Sequence, residues 1–448
     1  MDRRHTTWAS SERFVPKRFI RPLARFTSIE ASSGIVLLAA AIAAIIWANS
    51  AYADSYFSLL NQHITFDFFG LHFDESIQHF VNDGLMVIFF FVVGLEIKRE
   101  LVLGELKDPK AAALPVMAAL GGMLFPALIF LAFTLGDGGE VVRGWGIPMA
   151  TDIAFALGVV ALLGSKVPTG AKLFLLAVAI ADDIGAIAVI ALFYTSDLDG
   201  AYLSAAIAGL ILVWIASKVN VRAMTFYVPM GVLIWFFMLE SGVHATLAGV
   251  ALGFLTPARP YYTPTEFEER SRAILNSYPV TEGAEGQEHS DHEALLLSEI
   301  ANESVSPLNR LEHALTPWSS YVIVPIFALA NAGVDFSTIS FSEAATSSVA
   351  LGVAAGLVFG KIVGISSFAF AAVKLNAGKL PRGTGWGHVV GLAATAGIGF
   401  TVSLFVTGLA FDDPHITDLA KAGIFTGSLI AGVAGALLLA RARPPSEL

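Results

Sequence analysis

No cysteine occurs in the 448 residues, so disulfides and thiol chemistry are excluded, and nothing follows about redox compartment. Charge is scarce too. Asp, Glu, Lys and Arg make up 14% of the chain, against roughly a quarter in soluble domains. That depletion argues against a soluble fold, and nothing in the sequence suggests nucleic-acid binding. The formal net charge of -10 says little about partners, because the acids are concentrated in loops. What remains is apolar: 55% of residues are hydrophobic and the mean hydropathy is +0.69. The runs approach the roughly 20 residues that a bilayer-crossing helix needs. This composition predicts an all-α polytopic membrane protein.

Twelve transmembrane spans are expected, at about 33–49, 77–98, 111–135, 143–164, 171–194, 201–217, 223–239, 241–256, 318–333, 346–373, 386–411 and 419–440. The run 34–48 followed by Ala51-Tyr52-Ala53 resembles a signal peptide. Its polar lead-in is far longer than an ordinary n-region, so it reads as an uncleaved first span. Lys and Arg near span ends favour the cytoplasm. Arg3, Arg4, Arg13, Lys17, Arg18, Arg21 and Arg25 place the tail 1–32 inside, and the basic loop residues then alternate regularly to Arg441 and Arg443. Both termini are therefore expected to be cytoplasmic. The organisation is a basic tail 1–32, spans 1–8 over 33–256 with an outer loop 50–76, a long cytoplasmic loop 257–316, and spans 9–12 with a short tail over 317–448.

Two loops stand out. Residues 63–73 hold two aromatic-rich runs hinged at Gly70, which suggests either an outer β-hairpin able to pair with a second copy or a loop lying at the headgroups. The loop 257–316 carries eleven Asp or Glu against four Arg. Its middle, 282–293, is polar enough to be expected disordered.

Ionisable residues within spans are rare and usually functional. The candidates are Asp83, Asp152, Asp182, Asp183, His244 and Lys361, with Glu96 and Glu100 at the cytoplasmic end of span 2. Asp182 and Asp183 are adjacent in Ala179-Ile180-Ala181-Asp182-Asp183-Ile184. Neighbouring helix residues point about 100° apart, so one can line a cavity while the other turns to a neighbouring helix. Burial and mutual repulsion favour the protonated acid. Asp152 lies in Ile147-Pro148-Met149-Ala150-Thr151-Asp152. There Pro148 opposes a continuous helix and Thr151 or Asp152 can cap a restarted one. Span 11 has a comparable weak point at Gly397 and Gly399. Interrupted spans in corresponding positions point to a transporter's midplane site, with spans 3–5 and 10–12 as inverted repeats. Lys361 is mid-span and needs a buried partner, for which an aspartate is the obvious choice. His244 suits either pH sensing or packing, and Asp83 either packing or transport.

Through these residues the chain resembles the NhaA-type sodium/proton antiporter family. The resemblance rests on Phe91-Val92-Val93-Gly94-Leu95-Glu96-Ile97-Lys98-Arg99-Glu100, Ala150-Thr151-Asp152-Ile153, residues 179–186 and 241–249, Arg310-Leu311-Glu312-His313 and Gly397-Ile398-Gly399-Phe400-Thr401. It implies twelve helices with the fourth and eleventh broken, in a homodimer held partly by the outer hairpin of the bacterial inner membrane. It also implies Asp183 as the principal cation and proton carboxylate, with Asp182 beside it and paired to Lys361. Asp152 and Thr151 would then flank the crossing chains, and Glu96, Glu100, Glu312 and His313 would serve pH regulation. Thr316 stands where some relatives carry another histidine, and the acidic insertion is longer than in short-looped members.

The expected function is secondary exchange of Na⁺ or Li⁺ for H⁺ by alternating access, pH-regulated and electrogenic, in a transporter that is not an enzyme and needs no cofactor. The transported ion would be held by Asp183 and Asp182. A passive cation channel is the nearer alternative. An intramembrane aspartyl protease is more distant, because its Gly-x-Gly-Asp setting does not occur here.

Overall fold

The computed structural model describes residues 32–442 apart from 69–70, 196–197, 222, 279–283 and 338. The tail 1–31, Gly70 (the expected hinge), Asp197, Arg222, Glu282 and the last six residues with Arg443 lie outside the described residues. The rest is helical almost throughout, as expected where a backbone in hydrocarbon must satisfy its own donors and acceptors.

Helix α1 (Ser32–Ala48) is followed at 113° by α2 (Ala53–Leu60). Strands β1 (His63–Phe68) and β2 (Leu71–Ser76) then form an antiparallel hairpin, with His63 opposite Ser76 and Phe68 opposite Leu71. Next come α3 (Ile77–Val102) and α4 (Pro109–Thr134). The unit Gly139–Lys166 contains a 3-10 segment, Arg143–Met149, and α5 (Ile153–Leu163). Helices α6 (Thr169–Phe193), α7 (Gly200–Lys218), α8 (Met224–Glu240) and α9 (Thr246–Leu255) follow. Beyond them lie α10 (Pro264–Ser277), α11 (Ala284–Glu303), α12 (Pro307–Asn331) and α13 (Phe341–Thr346). The chain closes with α14 (Ser348–Lys374), α15 (Trp386–Thr395), α16 (Phe400–Ala410) and α17 (Pro414–Arg441). Among the described residues, eight helical units are long and apolar enough to cross a membrane, and ten if each bent pair counts as one span. Helices α8 and α9 are apolar but shorter. The protein is a multi-pass membrane protein.

Three segments differ from the sequence expectation. The outer stretch 50–76 contains α2 as well as the hairpin. The ninth span, expected from 318, belongs to one helix beginning at Pro307. Pro317 lies inside that helix, and the wider π turn Ser319–Ile323 directly after it absorbs the lost backbone bond. The loop 257–316 is thus largely α10, α11 and the start of α12, and the polar stretch expected to be disordered is helical from Ala284 onward. A capping box at Thr263 and Glu266 starts α10, a local signal that the charge count of the segment conceals.

The helix contacts that place the site are close ones. Helices α4 and α14 meet backbone to backbone, and a Cβ on Gly121 would overlap the carbonyl of Gly364. Helix α3 seats on α9 in the same manner, with Gly94 against the backbone of Val250. Close backbone approach through small residues is the usual way for helices to associate where no water drives them together.

Candidate functional site

The helical path is interrupted twice at one place. After the 3-10 turn through Pro148, residues Ala150 to Asp152 are extended, and α5 restarts at Ile153. Between α15 and α16 the chain turns by 48° across residues 396–399. The two breaks touch: the backbone N–H of Asp152 donates to the carbonyl of Ile398 at 2.6 Å. A Cβ on Gly399 would stand 3.2 Å from the Ala150 carbonyl and nearer still to Ser403 Oγ, so glycine there permits the close crossing.

Each break leaves backbone groups that the helices cannot satisfy, and side chains cover them. The carboxylate of Asp152 accepts from the Phe155 N–H at 3.1 Å, capping α5. Its other oxygen accepts from Thr401, the N–H at 3.2 Å and the hydroxyl at 2.5 Å, at the start of α16. One carboxyl group thus faces the positive ends of two helices. The complementary position belongs to Lys361, which is fully buried. Its ammonium donates to the Met149 carbonyl at the end of the 3-10 segment, to Thr151 Oγ at 3.0 Å, and to Asp182 Oδ2 at 2.5 Å. Thr151 Oγ also lies 2.7 Å from Asp182 Oδ2 and 2.8 Å from the Ala396 carbonyl at the end of α15. It carries a single proton, which therefore serves one of these acceptors at a time.

The adjacent aspartates have unlike surroundings. Asp182 is 1% exposed and locked to Lys361, although its second oxygen is buried without a hydrogen-bond partner among the described residues. Asp183 is 8% exposed, and no hydrogen bond to its carboxylate occurs among the described residues. The charges acting on it are Asp182, Glu96 and Asp152 of like sign, with Lys361 of opposite sign. A carboxylate so placed can take a proton or a hard cation, and the two compete for the same oxygens. A cavity of about 620 Å³ between the end of α3, the start of α4 and α6 reaches Ala177, with Glu100, Lys107 and Asp108 on its wall. Ala177 precedes Asp183 by six residues, about 9 Å along a helix.

Comparison with known proteins agrees with this chemistry. A family profile described as Na⁺/H⁺ antiporter 1 matches residues 24–439. The chain belongs to this antiporter family. A protein of Rhodopirellula baltica named Na⁺/H⁺ antiporter NhaA is 46% identical over 422 residues, 94% of each chain. Proteins with the same name from Oleidesulfovibrio alaskensis and Syntrophobacter fumaroxidans are 44% and 43% identical over 441 residues. Each match covers 96% of the present chain, with 96% and 93% of the respective relatives.

In this antiporter the residues singled out for pH regulation do not all meet. Arg99 forms ion pairs with Glu312 and, at 3.4 Å, with Glu100, and Glu96 and His313 lie within the same charge cluster. His244 is elsewhere. Its Nε2 lies 2.7 Å from the carbonyl of Tyr194, eleven residues beyond Asp183 and so about 16 Å along α6. Tyr194 in turn donates its hydroxyl to the Arg143 carbonyl at 2.6 Å. His244 thus contacts that end of α6, away from the cluster around Arg99.

Four participants were given no site role by the sequence reading: Arg99, Thr401 and the backbone carbonyls of Met149 and Ala396. Arg99 follows Glu96 by three residues, a helical-neighbour spacing that marks it as a partner. Thr401 occupies the second position of a restarted helix, where the N–H is orphaned. The carbonyls carry no sequence signal.

Proposed function

We infer that this protein exchanges Na⁺ or Li⁺ for H⁺ across a bacterial inner membrane, with Asp183 as the shared cation and proton carboxylate. The observation that carries the reading is the division of labour between neighbours: Asp182 is tied to Lys361, while Asp183, at the crossing of two broken helices, has no hydrogen-bonded partner among the described residues. Deprotonated Asp183, aided by the second oxygen of Asp182, binds the cation. Protonation removes that charge and releases it, so competition alone couples the two fluxes. A second proton on the Asp182–Lys361 pair makes the exchange electrogenic. Asp152 and Thr151 hold the crossing, with Pro148, Gly397 and Gly399 permitting its geometry.

The wider reading has twelve spans, obtained by adding α8 and α9 to the ten units, with inverted repeats formed by spans 3–5 and 10–12. Both termini are cytoplasmic, the acidic segment 257–316 lies on that side, and the outer hairpin pairs with a second copy in a lipid-embedded homodimer. The cluster of Glu96, Arg99, Glu100, Glu312 and His313 contributes to pH regulation. The test is a Na⁺ gradient imposed on proteoliposomes. Uphill proton movement is expected, and Asp183→Asn abolishes it; Na⁺ flux without proton movement would mark a channel and overturn the reading.

A further inference from the structure

We propose that His388 is a protonation-controlled cap on α15, the first half of the broken helix that reaches the ion site. The proposal rests on the exchange reading above. His388 is fully buried, and its Nδ1 accepts the backbone N–H of Gly385 at 3.2 Å. Gly385 is the N-cap residue of α15 and has no side chain with which to cap the helix itself, so the imidazole supplies the acceptor from within the first turn. This fixes the tautomer: Nδ1 is bare and Nε2 carries the proton. Nε2 is buried with no partner among the described residues, as is the hydroxyl of Thr384 just before the helix.

A second proton therefore has only one place to go, Nδ1, and there it turns the acceptor into a donor facing the Gly385 N–H. Among the described residues, the surroundings offer an imidazolium no counter-charge. The segments packed against this end are the start of α6, the end of α14, the connection 375–384 and the end of α17. Their titratable groups are Lys172, Lys374, Lys379, Arg382 and Arg441, all cationic. Protonation consequently breaks the cap rather than forming a new pair.

The cap matters because α15 is only ten residues long and both its ends are tied to the transport core. At the far end, the Ala396 carbonyl just beyond the helix meets Thr151. At the near end, a Cβ on Gly170 of α6 would stand 2.9 Å from the Arg382 carbonyl and from Pro381, so the approach to α15 rests against the start of the helix that carries Asp182 and Asp183. Loss of the cap loosens both, and transport falls on the acid side.

The test uses full-length protein in proteoliposomes, with Na⁺-driven proton movement measured across a pH series for His388→Gln and His388→Ala. Glutamine at the third helical position is the uncharged residue of capping boxes, so it keeps the acceptor without titrating. The acid limb of the H388Q profile should extend at least about half a pH unit lower than wild type, with the alkaline limb unchanged. H388A should lose about fivefold, the value of a missing cap, where wild-type His388 is unprotonated, and should converge on wild type on the acid side. Superimposable wild-type and H388Q profiles overturn the proposal, whatever H388A does. Absence of Na⁺-driven proton movement in wild type overturns the exchange reading instead.

Discussion

Replacing Lys361 by methionine keeps the length and apolar stem of the side chain and removes three hydrogen-bond donations at once. The ammonium and the Asp182 carboxylate are 0% and 1% exposed as side chains, so neither has water to fall back on. A buried charge stripped of its partner costs about 3–5 kcal/mol. The Met149 carbonyl and Thr151 Oγ lose a donor in the same step, which places the expected loss in the upper part of that range. Adding Asp182→Asn removes the orphaned charge, and the double variant should recover about 2 kcal/mol relative to the sum of the single changes. Thermal unfolding in detergent, followed by the fluorescence of the seven tryptophans, gives all four corners of the cycle. Additive effects, or a loss below about 1 kcal/mol for Lys361→Met, would refute the claim that this pair holds the crossing together.

Thr401→Val removes the hydroxyl from Asp152 and should cost about 1–3 kcal/mol in the same melts, whereas Thr401→Ser should behave as wild type. Gly364→Val drives a side chain into the backbone of Gly121, and immunoblots should find little protein in the membrane fraction; Gly408→Val, with open space beside it, should accumulate normally. Glu266 is held below the usual glutamate range by the backbone N–H and hydroxyl of Thr263. A group whose value is lowered on folding stabilises the folded state above its unfolded value and ceases to do so as pH falls through the folded one. Protection of the amides in the first turn of α10, measured against their intrinsic exchange rates, should therefore fall only at acid pH below the ordinary glutamate range, and in Glu266→Gln that loss should disappear.

Much of this architecture was legible in the chain. Apolar runs of bilayer length mark the spans because hydrocarbon leaves a helix no other way to satisfy its backbone. Pro148 and the glycines at 397 and 399 mark the breaks because proline removes a donor and glycine allows close backbone approach. Charges at Asp152, Asp182, Asp183 and Lys361 announce themselves by their cost in a membrane. The pairing of Asp182 with Lys361 was an expectation that many partners could have met; its 2.5 Å contact depends on the seating of α14 against α4, 179 residues apart from α6 at the contact.

What only tertiary structure decided is which orphaned group meets which charge. Asp152 was a cap candidate for one helix, yet it serves two, because the crossing brings the start of α16 to the same carboxylate. Thr151 was a cap candidate as well, and instead faces Asp182 and the end of α15. His244 shared a predicted role with Glu312 but lies at the other end of α6, since sequence carries no record of depth along a helix bundle. Composition and periodicity record what each residue costs in oil, a local property of its own side chain. The partners that offset the cost sit on distant helices, and only their packing brings them together.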